Sequence, residues 1–206
     1  MNINNTPLKG LIVSEQSPVI TSNNREQLID SNEQLSDTER AILKKYFNNK
    51  SHGVSNKETN PLNLVSFGEP PTKMAPDVWV GNFYDAHSTA LLTDLRFQCI
   101  ISLMGQWPNA VMGGIPYYLY PIPLIVEPGK KLDEMGQNNV ISAINMIERL
   151  RNAGLTPILL HCLEGKDRSP TITWKYMIEK LKKTEDDARA TITRLRPISQ
   201  IHHDWF

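Results

Sequence analysis

A cysteine and an arginine stand six positions apart in Leu159–Pro170, "LLHCLEGKDRSP", where an apolar run stops and a glycine-bearing stretch begins. Those types at that spacing suit chemistry on an anion. If a strand ends at Cys162 and a helix opens at Pro170, residues 163–168 form a tight loop whose backbone N–H groups converge at a helix N-terminus, which favours negative charge. The donors that favour a phosphate also favour a thiolate, so Cys162 is expected to be nucleophilic at neutral pH. Gly165 supplies the backbone freedom such a loop needs. Arg168 can hold two phosphate oxygens with its planar fork, a geometry that lysine does not offer.

The elements that must position these residues are legible around them. "DVWVG" reads as a short strand, "DAHSTALLTDLRF" as a helix, "CIISLM" as a buried strand and "YYLYPIPLIV" as another strand. Asp133 or a neighbour opens the helix "EMGQNNVISAINMIERLRNAG", with Val140, Ile144, Ile147 and Leu150 on one face and Gly154 near its end. "TPILLHC" is then a buried strand and "SPTITWKYMIEKLKK" a helix with Pro170 in its first turn. Thr184 can cap a final helix, "EDDARATITRLR". Strands alternating with helices predict an α/β fold with a central, mostly parallel sheet flanked by helices and a phosphate-binding loop between a strand and a helix.

Residues 1–60 differ in texture and are read as a polar N-terminal extension, with residues 61–206 as the catalytic-size domain. Apolar islands stand at Leu11–Val13 and Val19–Ile20 in a stretch read as largely loosely ordered. Ser36 followed by Glu39 is a capping box, opening an amphipathic helix over about 36–47 with Ile42, Leu43, Tyr46 and Phe47 as its apolar face. That face is expected to dock on the domain or bind a partner. The polar run that follows, to about residue 63, reads as a linker.

The 206 residues carry 22 basic and 22 acidic side chains, so net charge gives no reason to expect nucleic acid as a partner. Only Cys99 and Cys162 are present, too few for a disulfide framework, and no basic-then-apolar leader opens the chain, so a cytoplasmic setting with reduced thiols is expected. No apolar run reaches the length of a membrane span, so no integral membrane segment is expected. Cys99 reads as core packing. His202 and His203 read as surface histidines, because no third metal ligand is spaced with them. Trp79, Trp107, Trp174 and Trp205 read as core residues.

His161, Cys162, Gly165, Arg168 and Ser169 together resemble the signature loop of the cysteine-dependent protein tyrosine and dual-specificity phosphatases. "VWVGNFYDA" resembles the opening strand and turn of the small members, and "RLRPISQIHHDWF" their closing segment, so the resemblance covers about residues 76–206. It implies that Cys162 attacks phosphorus to give a phosphocysteine, and that Ser169 stabilises the departing thiolate when water releases phosphate. It implies that Arg168 and the loop residues Leu163, Glu164, Gly165, Lys166 and Asp167 bind the equatorial oxygens. His161 would orient the loop, and neither a metal nor another cofactor would be required.

The resemblance also implies a general acid on the loop after the preceding strand, here "IVEPGKKLDEMG". Two carboxylates are candidates there. Glu127 stands where the acid is expected, whereas Asp133 is also suited to a helix N-terminus. The expected substrates are phosphotyrosine and phosphoserine or phosphothreonine proteins. Lys166, Lys130 and Lys131 leave a phosphoinositide as the alternative. A phosphate-binding pseudoenzyme or interaction module is the reading from another class.

Overall fold

The structure, a computed structural model, describes residues 22–51, 69–105 and 114–206. The strands β1 (Thr72–Ala75), β2 (Val78–Gly81), β3 (Cys99–Ser102), β4 (Tyr117–Leu119) and β5 (Ile158–His161) form one sheet in the order β1-β2-β5-β3-β4. β2, β5, β3 and β4 run parallel, and β1 is antiparallel to β2. The mostly parallel sheet matches the fold class read from the alternating pattern. β5 pairs with β2 on one side and β3 on the other, so Cys162 leaves the carboxyl end of an interior strand. In parallel sheets that end is where ligands bind.

The helices are α1 (Ser22–Ser31), α2 (Asp37–Ser51), α3 (Phe83–Ala86), α4 (Thr89–Asp94), α5 (Glu134–Asn152), α6 (Arg168–Glu179) and α7 (Glu185–Leu195). A single 3₁₀ turn spans His203–Trp205. Successive strand residues point to opposite faces, and the two cores sort by that rule. Val78, Val80, Ile101, Ile158 and Leu160 pack with residues of α5, α6 and α7. Trp79, Ile100 and Leu159 pack on the other face with Ile29, Leu43, Leu91 and Leu92. Burial on both faces is why these strands read as unbroken apolar runs rather than alternating ones.

Several boundaries depart from the sequence reading. The helix expected over "DAHSTALLTDLRF" is two short helices, because Ser88 restarts the chain as an N-cap accepting from Leu91 N–H. The strand expected over "YYLYPIPLIV" stops at Leu119. Pro121 and Pro123 have no N–H for a ladder, and only Tyr120 N and Ile122 N continue to bond β3 and its neighbour, at 2.9 and 3.2 Å. α6 begins at Arg168, one residue earlier than expected. Two expected caps are present: Asp133 Oδ1 accepts from Gly136 N–H at 2.8 Å, and Thr184 Oγ1 from Asp187 N–H at 3.1 Å.

β1 and α1 were not foreseen. α1 is polar, yet Ile29 is buried, and the carbonyls of Ile29, Asp30, Asn32 and Leu35 all accept from the Arg40 guanidinium of α2 at 2.7–3.2 Å. One side chain thus satisfies the carbonyls left over where α1 ends. α2 opens on the expected capping box, with Ser36 N–H donating to Glu39 at 2.7 Å and Glu39 N–H to Ser36 Oγ at 3.2 Å. It runs to Ser51, further than expected, and Ile42, Tyr46 and Phe47 lie against the core cluster that holds Leu43. Glu39 pairs with Lys73 of β1 at 2.9 Å, and Glu33 with Arg194 of α7. The islands Leu11–Val13 and Val19–Ile20, most of the linker and Trp107 lie outside the described residues. Trp79, Trp174 and Trp205 are buried. Among the described residues no helix is long and apolar enough to cross a membrane.

Candidate active site

The loop after β5 is built by its carbonyls. Leu103 N–H donates to His161 O at 3.0 Å, Phe83 N–H to Leu163 O at 3.0 Å, Gln200 N–H to Lys166 O at 2.8 Å and Thr171 N–H to Asp167 O at 3.0 Å. Arg196 Nε donates to Gly165 O at 2.7 Å. The donors come from four parts of the chain, the residue after β3, the start of α3, α6 itself and residues 196–200, and together they tie these oxygens down. The N–H groups of Leu163, Glu164, Gly165 and Asp167 donate to no acceptor among the described residues. A run of backbone N–H groups left in this state at the first turn of α6 makes an anion nest.

Cys162 is a free, buried thiol whose Sγ lies 3.3 Å from the Oγ of Ser169, itself buried in the first turn of α6. Arg168 starts that helix. Its Nη1 reaches Leu103 O at 3.5 Å, while its Nε is buried and without a partner among the described residues. A half-buried guanidinium with a buried, unbonded Nε beside an amide nest suits a phosphate-like anion. The structure therefore brings Cys162, Arg168 and Ser169 together around residues 163–167. Glu164 is exposed, and the other loop residues are buried or half-buried.

His161 is wholly buried, and both its nitrogens are engaged. Nδ1 lies 3.1 Å from Cys162 O, an atom that only accepts, so Nδ1 carries the proton. Nε2 then accepts from the Tyr117 hydroxyl at 2.8 Å. Burial pushes the imidazole down to about 3, so the ring is neutral in the folded protein. The unfolded chain takes up this proton near the usual pKa of about 6.5 and the native state does not, so His161 makes stability fall as pH drops from about 6.5 towards 3. At pH 5 the loss is about 2 kcal/mol. Urea midpoints at pH 7 and pH 5 should diverge more for the wild type than for His161→Gln; parallel shifts would show that His161 is not held neutral.

Arg196 was not singled out from the sequence, and it is the main outer support of the loop. Fully buried, it also donates from Nη1 to Pro70 O at 2.6 Å and Thr72 Oγ1 at 3.0 Å. Its Nε lies 3.8 Å from the Glu69 carboxylate, which in turn accepts from Ile198 N–H at 3.1 Å. Burial pushes the Glu69 carboxyl up, and Arg196 opposes that. Removing one member of such a buried pair costs about 3–5 kcal/mol. Gly165 is fixed by the same packing. Its φ is +70°, and a Cβ there would stand 2.6 Å from Arg196 Nη2 and 2.7 Å from Gly81 O.

The two acid candidates are placed differently. Glu127 is exposed in a turn closed by Lys130 N–H to Glu127 O at 3.2 Å, and its carboxylate pairs with Lys130 Nζ at 3.1 Å. Asp133 is the N-cap of α5. Neither hydrogen-bonds to the signature loop. His202, read as a surface histidine, is instead half-buried: its Nε2 donates to Asp167 Oδ1 at 2.8 Å, and its ring stacks on Trp205. The partner lies 35 residues upstream, beyond any local pattern. His203 is exposed as expected.

The mostly parallel sheet with a strand-loop-helix at its carboxyl edge is similar to that of solved dual-specificity phosphatases, and the sequence is similar to curated dual-specificity and tyrosine-protein phosphatases. The chain is 28% identical over 130 residues to tyrosine-protein phosphatase vhp-1 of Caenorhabditis elegans, a match covering 63% of this chain and 19% of that protein. It is 28% identical over 128 residues to dual specificity protein phosphatase 1 of Homo sapiens, covering 62% of this chain and 33% of the relative. These matches therefore span about a third or less of the relatives' length. Among solved structures, DUSP15 superposes with a TM-score of 0.55 at 25% identity, over 66% of this chain and 81% of that one. A mouse putative dual specificity phosphatase complexed with zinc tungstate superposes with a TM-score of 0.57 at 20% identity, over 70% and 87% of the two chains. No protein-family model matches the chain.

Proposed function

We propose that this chain hydrolyses phosphomonoesters of phosphotyrosine and phosphoserine or phosphothreonine proteins through a phosphocysteine intermediate. The observation that carries the reading is the Cys162 thiol at the start of a loop whose carbonyls are tied down, with Ser169 Oγ 3.3 Å from the sulfur. In the first step the Cys162 thiolate attacks phosphorus and the P–O bond to the leaving group breaks. The loop N–H groups and Arg168 hold the oxygens that gain charge. The departing oxygen takes a proton from a carboxylic acid. Water then gives a proton to the resulting carboxylate as its oxygen attacks the phosphocysteine, the S–P bond breaks, phosphate leaves, and Ser169 hydrogen-bonds the returning thiolate.

A protein substrate is favoured over a phosphoinositide because two of the three candidate lysines, Lys166 and Lys130, are engaged within the chain. In the amide orientation that satisfies both neighbours, Gln200 accepts from Lys166 Nζ at 3.2 Å and donates to Asp167 Oδ1 at 3.2 Å. Lys130 is paired with Glu127. Phosphate release from aryl phosphate, phosphopeptides and phosphoinositides tests the reading. Turnover confined to the lipid would overturn the substrate class, and none on any substrate would leave a binding module.

Glu127 is the acid in this proposal, because Asp133 is committed to the α5 cap. Glu127→Gln should lower kcat by roughly 10²-fold or more on a tyrosyl or alkyl phosphate, and far less on an activated aryl phosphate that departs without help. Asp133→Asn should leave both rates near wild type and cost about 0.3–1 kcal/mol through a weaker charge at the helix N-terminus. Steady-state kinetics on both substrate types check this, and a leaving-group-selective loss confined to Asp133→Asn would reverse the assignment.

A further inference from the structure

The segment between Ile125 and Leu132 contains no helix or strand, and what holds it comes largely from the end of the chain. Trp205 Nε1 donates to Ile125 O at 3.0 Å, Gly129 N–H donates to Asp204 Oδ2 at 2.9 Å, and Leu132 N–H donates to Trp205 O at 3.0 Å. The Asp204 bond falls inside the turn that begins at Glu127. The same closing segment grips the signature loop through Arg196 on Gly165 O, Gln200 on Lys166 O and His202 on the Asp167 carboxylate. The two sets of contacts meet where the His202 ring lies flat on the Trp205 indole, centroids 4.6 Å apart and planes at 6°. A continuous path thus runs from Asp167 through His202 and Trp205 to Ile125.

We propose that residues 196–206 are a strap that sets the position of the Glu127 turn relative to the signature loop, with Asp204 and Trp205 as positioning residues at the turn and His202 at the loop. The chemical consequence rests on the function proposed above. Phosphoryl transfer needs the nucleophile and the acid on opposite sides of one phosphorus atom at a fixed separation, and these parts come from loops far apart in sequence. Neither loop bonds directly to the other through Glu127 or Asp133, so the strap carries the alignment.

Kinetics on the full chain with two substrates test this. Asp204→Ala should lower kcat on a phosphotyrosyl peptide by about tenfold to a hundredfold, the cost of a misplaced group, with a much smaller loss on an activated aryl phosphate. Inhibition by inorganic phosphate should be unchanged, because the signature loop keeps Arg196 and Gln200. Asp204→Asn retains an oxygen acceptor for Gly129 N–H and should restore the rate. Trp205→Phe keeps the stack but removes the donor to Ile125 O, and should show the same leaving-group-selective loss. His202→Ala removes both the Asp167 bond and the stack, so it should weaken phosphate inhibition, raise KM on both substrates and add the same leaving-group-selective loss in kcat.

Equal losses on both substrates in Asp204→Ala and Trp205→Phe, or no loss in either, would overturn the strap. Hydrogen exchange of the 125–132 segment decides independently of turnover, and should quicken in Asp204→Ala. Unchanged exchange there overturns the proposal. A wild-type chain that releases no phosphate overturns the proposed function instead, and exchange then remains the test of the strap.

Discussion

Cys162→Ser should abolish phosphate release from every phosphomonoester while leaving phosphopeptide binding within a few-fold of wild type, a loss of roughly 10⁴-fold or more in kcat. The two outcomes separate because the nest and the nucleophile are built from different atoms. The loop's shape is set by donors on its carbonyls from Phe83, Leu103, Thr171, Arg196 and Gln200, and none of these bonds uses the sulfur. Serine fits in the same volume, so the loop should keep its geometry.

A serine hydroxyl, however, is a poor nucleophile at neutral pH unless a base takes its proton. His161 is adjacent in sequence but does not supply that base. Its Nδ1–H is held by Cys162 O, and its Nε2 accepts from Tyr117. Cysteine is the intrinsically stronger nucleophile and depends less on such a base. Isothermal titration with a phosphopeptide, beside phosphate release, checks both halves. Retained turnover in Cys162→Ser would mean that the covalent step proceeds elsewhere.

The legible part of this fold was the part written in local pattern. Apolar runs such as "CIIS" and "ILLH" announce strands buried on both faces, and the caps at Ser36, Asp133 and Thr184 mark helix starts by short-range hydrogen bonds. The strand-loop-helix around Cys162 belongs to the same category, since glycine, arginine and proline each act within a few residues. What escaped was tertiary. α1 is polar and is completed by Arg40 of the next helix, while β1 is a four-residue edge strand with no periodicity of its own. The support of the loop by Arg196 depends on Pro70 and Thr72, more than 120 residues away. His202 looked like a surface residue because both Asp167 and the stacked Trp205 act on it through the fold. Pro121 and Pro123 lack the N–H groups a ladder needs and so mark, within the sequence itself, the early end of the strand that the apolar run suggests.

Arg168→Lys should cripple the proposed phosphatase activity as well, lowering kcat/KM by roughly 10²–10³-fold, the cost of removing one preorganised donor to a developing oxyanion. The substitution keeps the charge, so the loss measures geometry. Arg168 opens α6, its Nε is buried and unpartnered among the described residues, and its Nη1 touches Leu103 O only at 3.5 Å. A planar fork in that position can offer two parallel N–H groups to two phosphate oxygens. Lysine offers a single rotatable ammonium on a differently shaped stem. The equatorial oxygens gain charge as the P–O bond breaks, so part of the loss should appear in kcat and not only in KM. If Arg168 merely braced Leu103, Lys would cost stability and leave kcat near wild type. Steady-state constants for Arg168→Lys on an activated aryl phosphate, beside its thermal midpoint, distinguish the two roles: near-normal turnover with a lowered midpoint would remove Arg168 from the phosphate site.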